Sequence, residues 1–293
     1  MLDVISVENM RASDAHTIET LVESRELMHR AASGIYNSTS WEGHTSILVG
    51  GGNNGGDGYD LACILARNGF DCSLHTVSEK LSADGSYYRQ QAEELGIAIR
   101  EFDEDDPLLS NPSTMVDCIL GTGFHGTVRG RAREAIEFIN SSLARIVSVD
   151  INSGLNGETG EAEKAVISNL TVSIGFMKNG MFLQDAGMHI GSLTNVDIGI
   201  ELLKNENRLA AKDEFDQVLK SLDGKVVTVS EDEVLEGGLS SSDDAPEDLV
   251  TPIEKANSIA RALGQGLLVT GHTTTFVSDG RSVVFLKPDW VQA

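Results

Sequence analysis

The sequence predicts a doubly wound α/β fold, a mostly parallel sheet with helices on both faces, extended by a small C-terminal α+β segment. Short apolar runs alternate with amphipathic stretches of about a dozen residues, the pattern of βαβ units. Three of those runs, ending near Gly50, Gly121 and Asp150, pass into loops rich in glycine and small polar residues. In open α/β sheets ligands bind at the carboxyl ends of strands, so these three loops are expected to meet at one site.

The elements follow in order. Residues 6–38 read as helix, because Met10, Ile18, Leu21, Leu27, Met28 and Ala31 recur at helical spacing among charges. "TSILVGGG" is a short buried strand running into glycines, and "GDGYDLACILARNGF" is a helix capped by Gly69. "DCSLHTV" gives a second strand, "SADGSYYRQQAEELG" a second helix of the alternating pattern and "IAIREF" a third strand. After an acidic, proline-containing loop at 103–113 come the strand "STMVDCILGTG", the helix "RAREAIEFINSS" and the strand "ARIVSVDINSG". "NLTVSIGFMKNGMF" and "SLTNVDIGI" are expected as strands at the far edge of the same sheet.

The character then changes. Residues 231–248 carry eight acidic residues and no basic ones, and read as a solvated linker or long loop. Beyond them "TPIEKANSIARALGQG" is a helix with Thr251 as N-cap and Pro252 in the first turn, followed by three short strands. So short a tail buries little core alone and is expected to dock on the main domain or a partner subunit. The organisation reads as a domain at 1–210 and an acidic linker with a small extension at 211–293.

Bulk properties exclude several function classes. A formal net charge of −23 over 293 residues argues against nucleic acid and against an anionic membrane surface. No basic, then apolar, leader opens the chain, and no run is long and apolar enough for a membrane span. Cys63, Cys72 and Cys118 lack metal-ligand spacing and read as small buried hydrophobes, which fits a reducing cytoplasm.

The first loop, "LVGGGNNGGDGYD", contains the G-x-G-x-x-G spacing of a phosphate turn, but also Asn53, Asn54 and Asp57, which such a turn does not need. Singly these are turn residues and an N-cap; together, directly after a buried strand, they point to a ligand. In the second loop, "DCILGTGFHGTVRG", Asp117 precedes an apolar triplet and is expected partly buried and in need of a partner. Oxygens from Asp117, the Asn54 amide and a serine hydroxyl form a hard, weakly charged set that leans toward a monovalent cation such as potassium. Gly121, Thr122, Gly123, Gly126 and Thr127 form a second anion-cradling turn, with Arg129 as a phosphate partner or a plain surface arginine. His125 is an acid–base group or an idle loop histidine. The third loop, "VSVDINSGLNGETG", places Asp150 at the end of an apolar strand, where burial is expected to suit it to proton transfer near neutral pH. Ser153 presents a hydroxyl to the same crevice.

With "ENMRASDAHTIE" and "ELMHRAA" in the opening helices and these three loops in order, residues 5–200 resemble the NAD(P)H-hydrate epimerase family, the YjeF N-terminal domain. The resemblance implies a Rossmann-like fold, usually dimeric, acting as an isomerase in the cytoplasm on nicotinamide cofactors hydrated at C6 (NADHX and NADPHX). It implies that the hydrate is bound by Asn53, Asn54, Gly55, Gly56 and Asp57 and by Gly121, Thr122, Gly123, Phe124, His125, Gly126 and Thr127. Asp150 would contact it at the reacting end, and Asn54, Asp117 and Ser153 would hold potassium. The family usually has proline where this chain has Asn152, so the third loop is expected to be less rigid. Residues 255–285 faintly resemble part of the ADP-dependent hydrate dehydratase domain; Thr270 stands where that family has lysine and its G-x-G-D turn is missing, which implies a remnant without that activity.

Two rival readings share the fold. A nicotinamide-dependent oxidoreductase predicts an acidic residue about twenty positions after the glycines, and Glu79 is loosely placed for it. A non-catalytic scaffold protein would be expected to have lost Asp150, Asp117 or the asparagines, all of which are present.

Overall fold

The computed structural model describes residues 1–222, 225–236 and 251–292. The first half comprises β1 Leu2–Ile5, α1 Val7–Thr20, α2 Ser24–Asn37, β2 Thr45–Val49, α3 Asn53–Arg67, β3 Cys72–Thr76, α4 Ala83–Glu94 and β4 Ala98–Glu101. There follow β5 Thr114–Cys118, α5 Gly130–Ser141, β6 Arg145–Val149, β7 Ser168–Ile174, β8 Met177–Lys178, α6 Ala186–His189 and β9 Ile190–Val196. The last part holds β10 Asn207–Ala210, α7 Lys212–Ser221, β11 Val226–Ser230, α8 Glu231–Leu235, α9 Pro252–Leu263, β12 Gly266–Thr270, β13 Thr275–Ser278, β14 Val283–Leu286 and β15 Val291–Gln292.

Alternation along the central strands sets the layers. Ile47 and Val49 of β2, with Val116 and Cys118 of β5, pack under α2 and α3 on one face. Leu48 and Met115 point the other way, against Ala135, Ile136 and Ile139 of α5. The eight strands run β15-β9-β7-β6-β5-β2-β3-β4 and every pairing is parallel. This is the doubly wound sheet with helices on both faces that the alternation predicts. No helix among the described residues is long and apolar enough to cross a membrane.

A second, mixed sheet was not anticipated. Its order is β11-β12-β13-β14-β10-β1-β8, so the first residues of the chain pair with β8 and β10, and β14 continues from β10. The three tail strands and the capped helix form as expected; Thr251 accepts from the Glu254 N–H, and Gly264 ends α9 in the left-handed region. The tail docks on the rest of the chain. Phe182 lies 5.4 Å from Phe285 and stacks on Trp290 at 6.1 Å between ring centroids, inside an apolar cluster shared with Val4, Leu155 and Leu193.

Three readings need correction. The helix expected over 6–38 is two helices, α1 and α2, and the predicted apolar stripe does not continue through α1. The buried face of α1 is instead Asn9, Ser13 and Thr17, which hold the backbone of Lys204, Leu203 and Glu201. In the expected acidic linker, residues 231–235 are helix α8, whose buried Glu231 accepts from the N–H groups of Gln184 and His272. Residues 237–250 of that stretch lie outside the described residues. The third correction concerns Asn152. It is fully buried, donates to the Val166 and His189 carbonyls and to Ser168 Oγ, and accepts from Thr171 Oγ1. Side-chain hydrogen bonds thus supply the rigidity that the missing proline was expected to cost.

Glycines let β2, α3 and the loop after β5 approach one another. A Cβ on Gly50 would overlap the Ile119 carbonyl oxygen, whereas one on Gly123 would meet only Arg11 Nη2 at 3.6 Å. Gly50→Ala is expected to cost about 3 kcal/mol or more of stability, because backbone rather than a flexible side chain must move. Gly123→Ala, with an open side, should cost under about 1 kcal/mol. Equilibrium denaturant unfolding of the two variants checks the contrast.

Candidate functional site

The three glycine-bearing loops meet at the carboxyl ends of β2, β5 and β6, and the residue on which they converge is Leu120. Asn54 Nδ2 donates to the Leu120 carbonyl at 2.9 Å. Ser153 Oγ accepts from the Leu120 N–H at 2.8 Å and lies 3.2 Å from the same carbonyl. Ser153 also binds Asp117, through its N–H at 2.9 Å and its hydroxyl at 2.5 Å.

Asp117 is fully buried, not partly buried as the sequence suggested. Burial pushes its carboxyl up, opposed by donors from Ser153, Ser148 and the Ile119 N–H. Its carboxylate therefore has protein partners. The oxygen left over is Asn54 Oδ1, which is buried with no hydrogen-bond partner. No cluster of three or more histidine, cysteine or acidic side chains able to hold a metal ion exists among the described residues. The donor set here is amide, hydroxyl, carbonyl and one carboxylate, which suits a hard ion of low charge.

Above this floor opens a cavity of about 620 Å³. Asn53, Asn54, Asp57, Gly121, Thr122, Gly123, Phe124, His125 and Asp150 all line it. Gly55 and Gly56 stand behind the lining, where a Cβ would overlap the Gly50 carbonyl oxygen or crowd Met28. Gly126, Thr127 and Arg129 are exposed and outside the lining, as is Glu79. The asparagines are not turn residues and Asp57 is not an N-cap: α3 starts at Asn53 with Gly52 as its cap, and Asp57 lies a turn inside the helix. The first-turn N–H groups of α3 therefore stay available to an anion, with Gly51 and Gly52 also at the cavity wall.

Asp150 sits at φ 65°, in the left-handed region that residues other than glycine seldom occupy. The Asp150 N–H is tied to the Val172 carbonyl at 2.8 Å, which holds the turn. Its Oδ2 accepts from the Thr122 N–H at 3.1 Å, and its Oδ1 accepts from Lys178 Nζ at 2.5 Å. The carboxyl is 16% exposed and the lysine side chain 0%. Lys178 also donates to the Ile174 carbonyl and lies within 3.3 Å of Ser173 Oγ. The strand-end carboxyl expected from the sequence is bonded to a fully buried lysine that the sequence reading did not include.

Sequence reasoning missed Lys178 and Asp14. Asp14 lines the cavity from α1 together with Met10, Arg11 and Ile18, at helical spacing. Burial, and then the charge of Asp150, pushes the Asp14 carboxyl up. Of the residues read from the sequence as a core stripe, Met10 packs against the core and also lines the cavity, whereas Ile18 is exposed cavity wall. A stripe of mixed apolar and charged residues on a helix with a polar buried face was the available signal.

A family model described as "YjeF-related protein N-terminus" matches residues 24–180. The chain is 32% identical over 212 residues to the NAD(P)H-hydrate epimerase of Lentilactobacillus buchneri, covering 68% of this chain and 96% of that protein. It is 39% identical over 170 residues to the bifunctional NAD(P)H-hydrate repair enzyme Nnr of Methanothermobacter thermautotrophicus, covering 54% of this chain but only 32% of that protein. Among solved structures, yeast ynu0 (YNL200c) is similar in fold, with a TM-score of 0.56 at 20% identity over 61% of this chain and 83% of that one.

Proposed function

The chain belongs to the family of YjeF-related protein N-termini, and from that membership and its cavity we propose that it is an NAD(P)H-hydrate epimerase, an isomerase that interconverts the R and S C6-hydrates of NADH and NADPH. The observation that carries the reading is the meeting of three separate loops at Leu120, beneath a cavity into which Asp150 projects. A plain dinucleotide turn has no use for Asn54 or Asp117 in that position.

The hydrate carries a hydroxyl at C6 beside the ring nitrogen. Protonation of that hydroxyl lets the nitrogen lone pair expel water and leaves a planar iminium, to which water returns on the opposite face. Asp150 is a proton-transfer group, with Lys178 and the Thr122 N–H fixing its carboxyl. Asn53, Asn54 and Asp57 with residues 121–125 line the hydrate's cavity, Gly55 and Gly56 giving them room from behind, and the start of α3 receives a phosphate.

Asn54, Asp117 and Ser153 would hold potassium; the unpartnered Asn54 Oδ1 supports that assignment. Bound there, the ion supplies a fixed positive charge where the three loops join. Residues 1–210 carry the chemistry in this reading. The extension at 211–293 buttresses it through β14 and β15, and its likeness to a dehydratase domain implies no second activity. A homodimer working in the cytoplasm, without nucleic-acid or membrane partners, completes the proposal.

The test is chiral chromatography of an unequal S/R hydrate mixture, with and without protein, in potassium and in a bulky organic cation such as choline. The mixture should relax to equilibrium faster with protein, and more slowly when potassium is replaced. Relaxation no faster than in buffer alone, in either salt, refutes the activity; equal acceleration in both salts refutes the ion.

A further inference from the structure

A second carboxyl faces the same cavity, and the mechanism above gives it no proton to move. Asp57 projects from the first turns of α3, after β2, whereas Asp150 projects from the turn after β6; the loop after β5 lies between them. The two carboxyls thus reach the cavity from strand ends on either side of the loop after β5. Their surroundings also differ. Asp150 is held by the Lys178 ammonium and the Thr122 N–H. Asp57 is buried and receives no hydrogen bond to its carboxyl among the described residues.

We propose that Asp57 is a second catalytic carboxyl, which gives the departing C6 hydroxyl its proton while Asp150 takes a proton from the water that adds to the other face. This inference rests on the epimerase reading and deepens it. The step balances. The Asp57 O–H bond breaks and its proton goes to the C6 hydroxyl; the C6–O bond breaks with both electrons on the departing water, and the ring-nitrogen lone pair forms the C=N bond. A water then bonds to C6 from the side of Asp150, its extra proton goes to the Asp150 carboxylate, and the nitrogen recovers its pair. One proton has moved from Asp57 to Asp150, and exchange with water restores the starting state. The opposite epimer uses the same two groups with their roles exchanged.

Two groups are needed because a carboxyl on one side of a planar iminium cannot serve both faces. The division of roles follows from the surroundings: Asp150 accepts from an ammonium and a backbone N–H, and Asp57 has neither. Burial pushes the Asp57 carboxyl well up, and the charges of Asp150, Asp60 and Asp14 add to this, opposed by Lys178. Asp60 reaches Asp57 from the same helix and is itself bonded to His29 of α2. Asp14 and Arg11 face the cavity from α1, and His125 from the loop after β5. The neutral form of Asp57 donates; Asp150, beside its ammonium, accepts.

The experiment measures kcat, KM and the pH–rate profile of epimerisation for the wild type, Asp57→Asn and Asp57→Glu, with the infrared protonated-carboxyl band of the resting proteins. A bell-shaped profile is expected for the wild type, because one carboxyl must be protonated and the other ionised. Asp57→Asn should lower kcat about a hundredfold or more, keep KM within about threefold and lose the alkaline fall. Asp57→Glu should recover part of kcat and show the fall again. The wild type should carry at neutral pH a protonated-carboxyl band that Asp57→Asn lacks, a reading independent of activity. An active wild type with no alkaline fall, an Asp57→Asn with kcat within about threefold of wild type, or an infrared band unchanged by the substitution overturns the role of Asp57 and leaves the epimerase reading standing. A wild type that fails to relax the mixture at all removes both. Should Asp57→Asn not fold, the wild-type profile and the Asp57→Glu profile decide.

Discussion

Asp150→Asn is expected to lower epimerisation turnover about a hundredfold or more while leaving binding of the hydrate measurable. The substitution is close to isosteric, and asparagine tolerates the left-handed backbone that Asp150 adopts at φ 65°. An amide oxygen still accepts from Lys178 Nζ, and the bond between the backbone N–H and the Val172 carbonyl is untouched. What disappears is a group able to take up and return a proton. Calorimetric titration with NADPH separates this from a binding defect. Turnover equal to that of the wild type would remove Asp150 from proton transfer.

Lys178→Met should damage the protein in a second, distinct way. Methionine nearly fills the lysine's space, so the substitution tests charge rather than packing. Asp150 then remains beside Asp57 and Asp14 without the ammonium that bonded to it. Breaking a buried pair by removing one partner costs about 3 kcal/mol or more. The loss should depend on pH in a defined direction. Without the ammonium, the Asp57 carboxyl, already pushed up by burial and by the charge of Asp150, loses the Lys178 charge that opposed this and rises further above its unfolded value, so the folded protein binds more protons than the unfolded chain. Stability is then regained on acidification toward the unfolded carboxylate range and lost as pH rises through the folded value. Thermal unfolding across pH reads this, and the Asp150→Asn/Lys178→Met double variant should be more stable at neutral pH than Lys178→Met alone. Equal stability of Lys178→Met and wild type at neutral pH would show that the ion pair contributes nothing to the fold.

Several features of the site were legible because they are local. Gly50, Asn54, Asp117, Asp150 and Ser153 lie within or just after short apolar strands, and parallel strands deliver their carboxyl ends to one edge. The asparagines gave a chemical clue, since their oxygens in that position have no use in a phosphate turn. The course of α1 was less legible: its inner face bonds the backbone at 201–204 with hydroxyl and amide groups, and hydrophobic periodicity cannot register a polar interface. The rigid state of the Asn152 turn was hidden for the same reason, because its four partners are spread from Val166 to His189.

Lys178 marks the boundary between the two kinds of knowledge. In the sequence it is a lysine inside a stretch read as an edge strand, 28 positions from Asp150, with nothing to separate it from a surface lysine. It is buried because β8 pairs with β1, Ile5 opposite Lys178, in a sheet built from both ends of the chain. The sequence by itself determined the parallel sheet, the three strand ends and the acidic and amide groups placed there, since each follows from periodicity and nearest neighbours. Only the tertiary structure decided how those groups are charged and held, because burial and ion pairing depend on residues that the chain brings together from far apart.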